Sequence, residues 1–412
     1  MPLLRPDHIA QTEQDVFPDT QGYILISHRF DHRTYGFVRL RPPVPTHAKA
    51  AFTNIRPTSS EELQSRKRDR NLVVHALGLS ARGYLALGFA DTLDPVFRQG
   101  FAQRALSLTH TGASQWNDIW EGGQEYDALV VIAASSPGRL PGPMNDVCQI
   151  LGPFADIVWR DGFVRRDAAE HPVEHFGFAD GVSQPVFLAQ DQSRASNRTY
   201  PWDPAAPLGL VLTPDLHPRP QSGFGSYCAF LTIEQHAQRF DAAAQGLAAA
   251  AACPVDHAKA MIVGRHPSGD PLPQRAADQN DFDAAAPDSV WPNASHTRRM
   301  NPRAEPHRRI LRRGALYENP SGERGLLFQS FQASLDQQFE FIFRNWAFVP
   351  NHPAPSTGVD PFLAPCDPLG QNWPAANGAS VHHAVRGTTT LRGGQYFFFP
   401  SLPWIRSLSS IG

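Results

Sequence analysis

The chain has 412 residues, a formal net charge of −2, 41% hydrophobic and 10% aromatic residues. That length suggests roughly two or three compact units, the composition excludes a disordered chain, and a nearly neutral surface offers no electrostatic footprint for DNA or RNA. The four cysteines, Cys148, Cys228, Cys253 and Cys366, form no CxxC pair and no zinc or disulfide spacing, which fits a reducing compartment.

The N-terminal stretch MPLLRPDHIAQTEQDVF has no basic region leading into an apolar run. Apolar runs such as 128–134 are too short to span a bilayer. The expectation is a cytoplasmic protein without a membrane segment. Strand-like runs follow at 22–27, 35–40, 71–77, 127–134 and 156–164. Helical patterns lie between them: 80–89 with Ser80 as a cap, 94–106 from an Asp-Pro start, and 143–151. The second half continues with a strand at 226–233, an alanine-rich helix at 233–252 and a short helix at 256–264. Buried strands are expected at 326–333 and 395–399. The spacing of Phe339, Ile342, Phe343 and Trp346 predicts a helix over 335–347. Strands and helices mix without βαβα alternation or a Gly-rich nucleotide loop, which points to α+β with antiparallel sheets. The Pro-, Asp- and Ser-rich stretch 188–222 suggests a division near residue 200, into 1–200 and 201–412. A second loop-like stretch covers about 266–295.

Four segments could carry chemistry. In 175–185, HFGFADGVSQP, Asp180 sits among small residues that let a ligand approach, although an ordinary Asp-Gly turn fits the same residues. In 295–303, SHTRRMNPR, His296 could ligate a haem iron, with Arg298, Arg299 and Arg303 near enough in sequence to pair with propionates; a surface or packed histidine fits too. In 307–314, HRRILRRG, Arg312 and Arg313 face opposite ways, so one of the two can enter a given pocket. In 326–333, LLFQSFQA, Leu326 and Phe328 share one face and Leu327 and Gln329 the other, as in a pocket wall or a plain core strand. The pairs His28 and His32, His171 and His175, and His382 and His383 lack the carboxylates or thiols that would complete a metal site.

The run GFADGVSQP resembles the GxxDG signature of the dye-decolorizing peroxidase family, SHTRRMNPR its HxRRxNPR segment, and RILRRG the segment with its distal arginine. GLSARGYLALG, VGRHPSGDPL, 324–346, STGVDPF and LRGGQYFFFPS are similar to family segments as well, so the resemblance spans most of residues 70–403. It implies two ferredoxin-like α+β domains of the dimeric α+β barrel type and one haem b per chain. It also implies oxidation of organic donors, such as dyes and phenols, by hydrogen peroxide through an iron-oxo intermediate. By matching position, His296 is the proximal ligand, Asp180 the distal acid/base and Arg312 the distal arginine. Asp360 accepts the proximal imidazole N–H, Leu326 and Phe328 line the distal pocket, and Arg298 meets a propionate. The sequence departs from the family pattern at Thr297 and at Ala315–Glu318 after the distal arginine. A haem carrier or sensor without turnover is the alternative function. Tyr317, Trp373 and Trp404 are read as packing residues, with electron relay to bulky dyes as the alternative. A homodimer is the default assembly.

Overall fold

The structure, a computed structural model, describes residues 16–26, 30–89, 93–189, 191, 204–217, 223–272, 288, 291–301, 304–364 and 369–410. Residue 200, His28, Arg303, Cys366 and most of 273–290 lie outside the described residues.

Eight antiparallel strands close into a barrel. They are β1 (His32–Leu40), β2 (Val74–Leu79), β3 (Ala128–Ala134), β4 (Ala155–Phe163), β5 (Phe224–Gln235), β6 (Ala315–Glu318), β7 (Arg324–Gln332) and β8 (Thr389–Phe399). The order around the wall is β5-β8-β2-β3-β1-β4-β6-β7, and β7 pairs back onto β5 to complete the circle. Each half of the chain supplies four strands, first with fourth, first with third and third with second, which is the ferredoxin-like arrangement. The fold is thus α+β, a barrel of two ferredoxin-like sheets.

The two seams between the sheets are thin. One is the pair Phe398–Leu79 and the other Leu316–Phe163. At the first, the Gln21 side chain stands in for missing ladder bonds. Its Oε1 accepts from Leu77 N at 2.8 Å, and its Nε2 donates to Leu77 O and Pro400 O, each at 2.8 Å. Buried amides thereby keep their partners.

The segment 22–27, expected as a strand, instead forms a short helix at Gly22–Leu25. A short apolar run does not distinguish the two by periodicity. Here a distant partner decides. The carbonyls of Tyr23, Ile24 and Leu25, left open at the end of so short a helix, accept from the Arg313 guanidinium. Residues 335–347 wind more widely than an α-helix, as π-helical turns at Leu335–Glu340 and Phe343–Ala347. The 94–106 pattern splits into Pro95–Gln99 and Phe101–Thr109 at Gly100, whose φ of 77° breaks the helix. The other strands fall within a few residues of expectation.

In the second half, helices α1 (Ala237–Ala251), α2 (Val255–Val263) and α3 (His296–Met300) lie between β5 and β6 in the chain. Phe240, Ala244, Leu247 and Met261 join Phe178 and Trp373 in a second apolar cluster, separate from the barrel core. Inside the barrel, Phe230 on β5 lies 5.4 Å from Tyr35, 5.2 Å from Phe37 and 6.2 Å from Trp120, ring centroid to ring centroid. Its neighbours on β5, Leu231 and Ile233, face a cavity on the outer side. Phe230→Ala removes a fully buried ring from this interior. We expect it to lower unfolding free energy by about 3–5 kcal/mol in denaturant titration, and a loss below about 1 kcal/mol would contradict a close-packed barrel.

Candidate active site

The outer face of β5 and β7 forms one wall of a cavity of about 310 Å³. Strand alternation sets that wall. Leu231, Ile233, Leu326 and Phe328 point outward into the cavity, while Leu327, Gln329 and Phe331 are buried on the other side of β7. Phe339, Ile342, Phe343 and Trp346 from the π-helical segment line the cavity as well, so the spacing read from sequence did identify one face. His296 and Asp180 enter from separate segments.

His296 opens α3. The preceding Ser295 is fully buried and donates its hydroxyl to Met261 O on α2 at 2.6 Å, which ties α3 to α2. His296 Nδ1 lies 2.9 Å from Asp360 Oδ2 and 3.1 Å from Oδ1. Asp360 is fully buried, and its Oδ1 also accepts the amides of Phe362 at 2.9 Å and Leu363 at 2.7 Å. Burial alone would raise this carboxyl, but the His296 contact, the Leu363 amide and nearby Arg299 outweigh it and hold the carboxyl below its ordinary range. With Nδ1 engaged by Asp360, Nε2 is the ring nitrogen left for the cavity. This is the arrangement of a histidine metal ligand oriented by a carboxylate.

The Asp180 loop lines the same cavity. Asp180 N donates to Pro172 O and Ala179 N to Pro267 O, each at 2.9 Å. Gly177 and Gly181 have φ of 92° and 74°, which a side chain would strain. The SQP residues connect the loop to other segments. Ser183 Oγ accepts from Arg265 Nη2 at 2.9 Å, and Gln184 Oε1 accepts from Arg312 N at 3.1 Å. Arg312 Nη2 donates to Val182 O at 2.7 Å, and Arg312 lines the cavity. Burial pushes its guanidinium down from the ordinary value, and the charge of Asp180 draws it back up. Arg313 points the other way, to the carbonyls of the Gly22–Leu25 helix.

The structure therefore brings Asp180, His296, Arg312, Leu326 and Phe328 to one cavity, with Asp360 directly behind His296. It does not bring Arg298 there: that side chain is buried and donates to Trp291 O. Among the described residues, Arg265 and Arg309 line the cavity besides Arg312. Sequence reasoning assigned neither a role, although Arg265 belongs to the VGRHPSGDPL segment already noted. Glu174, another cavity residue, was missed because no local pattern marks it. Tyr317, Trp373 and Trp404 are all buried, at 6%, 0% and 0% exposure. Among the described residues no group of three or more His, Cys, Asp or Glu could hold a bare metal ion.

The residues fit an apolar, iron-bearing cofactor: one available imidazole nitrogen facing apolar walls. The family model for Dyp-type peroxidase, C-terminal, matches residues 219–352. The multifunctional dye peroxidase DyP2 of Amycolatopsis sp. is 32% identical, covering 81% of this chain and 81% of that protein. The chain belongs to the DyP-type peroxidase family. The crystal structure of an Anabaena sp. DyP-type peroxidase superposes with a TM-score of 0.88 at 29% identity, covering 96% of this chain and 95% of that one. The DyP2 structure superposes at 0.87 with 26% identity, over 98% and 99% of the two chains. Haem binding is a property this family implies. No helix among the described residues is long and apolar enough to cross a membrane.

In this DyP-type peroxidase, His352 stacks on the cavity residue Trp346, with centroids 5.7 Å apart and planes at 12°. Its Nε2 lies 3.1 Å from Arg299 O. Burial, with some help from the Arg299 charge, pushes the imidazole down to about 4. The unfolded chain, with a value near ~6.5, binds more protons than the folded protein below that pH. The stability this histidine contributes is therefore full above pH ~6.5 and is lost as pH falls toward 4. Melting temperature should fall through that window, and His352→Gln should flatten that part of the profile. An equal slope in the variant would exclude His352 as its source.

Proposed function

We propose that this protein is a hydrogen peroxide-dependent haem peroxidase that oxidises organic donors such as dyes and phenols, with one haem b per chain held through His296. The observation that carries the reading is the convergence of two sets on one cavity: His296 hydrogen-bonded to Asp360, and Asp180 close enough for its charge to act on Arg312. The naming of the Amycolatopsis relative as a multifunctional dye peroxidase supports the donor class.

When bound, the haem supplies a redox-active iron that takes two oxidising equivalents from peroxide and passes them to donors. The chain's own residues do the rest. Asp360 accepts the His296 Nδ1–H, which fixes the tautomer and makes the ring electron-rich. Asp180 accepts the proton from one peroxide oxygen at its carboxylate and returns it to the other, which departs as water. The Arg312 guanidinium, held by Val182 O, stabilises the charge that develops as the O–O bond breaks. Leu326 and Phe328 exclude competing water from that face. A cytoplasmic location accords with the free thiols Cys148, Cys228 and Cys253.

A simple haem carrier has no need of a carboxylate and arginine opposite the ligand. The discriminating experiment is the absorption spectrum of the purified protein before and after one equivalent of hydrogen peroxide. A Soret band that shifts promptly is expected, and one that ignores peroxide would overturn the peroxidase reading in favour of a carrier or sensor. Asp180→Asn should keep haem and slow the peroxide step by about 10²–10⁴-fold. His296→Ala should lose haem or the spectrum of histidine ligation.

A further inference from the structure

We propose that Glu174 is the positioning residue of the distal acid, holding the loop that presents Asp180 in place through its backbone amides. The inference rests on the reading of Asp180 given above.

Glu174 lies six positions before Asp180 and lines the same cavity. This second carboxylate is not a second acid/base, because its oxygens are committed to the loop and to β5. Oε1 accepts Phe178 N at 2.8 Å, and Oε2 accepts Phe176 N at 2.9 Å and Gln235 Nε2 at 2.5 Å. The backbone closes the same turn. Glu174 N donates to Phe178 O at 2.9 Å and Gly177 N to Glu174 O at 3.0 Å. Each amide satisfied by this one side chain belongs to the stretch leading directly into Asp180.

The clamp is also anchored to the rigid part of the fold. Gln235 ends β5, the strand whose outer face forms the cavity wall, and among the described residues its Oε1 has no hydrogen-bond partner. Its bond to Glu174 is thus the contact through which β5 fixes the loop. Phe176, between the two clamped amides, stacks on Phe362 at 5.5 Å, and Phe362 packs on His296 at 5.2 Å. Displacing the loop would therefore move Asp180 relative to the proximal ligand, the geometry that proton transfer depends on. Burial pushes the Glu174 carboxyl up while the two amides and Gln235 pull it back, as befits a group that serves the backbone from a nearly closed site.

The test compares Glu174→Gln, Glu174→Ala and Asp180→Asn as haem-loaded proteins. Glutamine keeps one acceptor oxygen, so it can retain one of the two amides. Hydrogen exchange in peptide 174–181 should quicken by about tenfold in Glu174→Gln and more in Glu174→Ala, with the β3 peptide 128–134 unchanged. The second-order peroxide rate should fall about tenfold to a hundredfold, while dye oxidation at saturating peroxide holds. A uniform rise in exchange, or an unchanged peroxide rate where Asp180→Asn is slow, would overturn the role of Glu174. An unchanged rate in Asp180→Asn would instead overturn the assignment of Asp180, and this proposal with it. If Glu174→Ala does not fold, Glu174→Gln and Gln235→Ala, which each remove part of the clamp, decide the matter by the same readouts.

Discussion

The pairing of β7 with β5 is the contact on which the rest of this molecule depends. It closes the barrel, and the two-residue period of both strands then allots every side chain to one of two environments. Phe230, Gln329 and Phe331 fill the interior, and Leu231, Ile233, Leu326 and Phe328 face the cavity. A slip of one residue would place Gln329 in the cofactor cavity and Phe328 in the barrel. Gln329 resists that slip, because its Oε1 accepts the Tyr23 hydroxyl at 2.6 Å inside the barrel.

Buried charge is handled in two ways around the cavity. One is a paired set, His296 against Asp360, with amides completing the carboxylate. The arginines rely mainly on carbonyls. Arg299 donates to His352 O and Val349 O, and Arg313 to the end of the Gly22–Leu25 helix, and burial brings both guanidiniums down to about 10. Carbonyl partners satisfy a guanidinium's donors without neutralising its charge. The cation at Arg312 thus remains available to Asp180 and to developing negative charge. Arg33 strengthens this arrangement from inside the barrel, donating to Arg313 O at 2.9 Å and Gly314 O at 2.7 Å, just past Arg312.

The motifs read from the sequence turn out to be parts of one structure. The SQP residues accept from Arg265 and Arg312, and the turn at 267–269 supports Ala179. Three segments far apart in sequence share hydrogen bonds around a single loop. That explains why each fragment alone was ambiguous: an Asp-Gly turn becomes part of the cavity wall only when partners from 265 and 312 are beside it.

Much was decided by the chain itself. Periodicity placed β1, β3, β4, β5, β7 and β8 because a half-buried strand must alternate and a doubly buried one must be apolar throughout, as in Ala128–Ala134. The resemblance of the ordered motifs singled out His296, Asp180 and Arg312, and local alternation put Leu326 and Phe328 on one face. Tertiary structure alone decided the remainder. Gly22–Leu25 is helical because Arg313 caps its carbonyls, a partner nearly three hundred positions away. Arg298 is withdrawn from the cavity by Trp291, while Arg309 and Arg265 stand there instead. Glu174 acquires its place only when β5 delivers Gln235 to it. Local pattern reports which face a residue prefers, because that preference follows from its neighbours along the chain. Which group meets it on that face is set by barrel closure, which joins strands that the sequence keeps far apart.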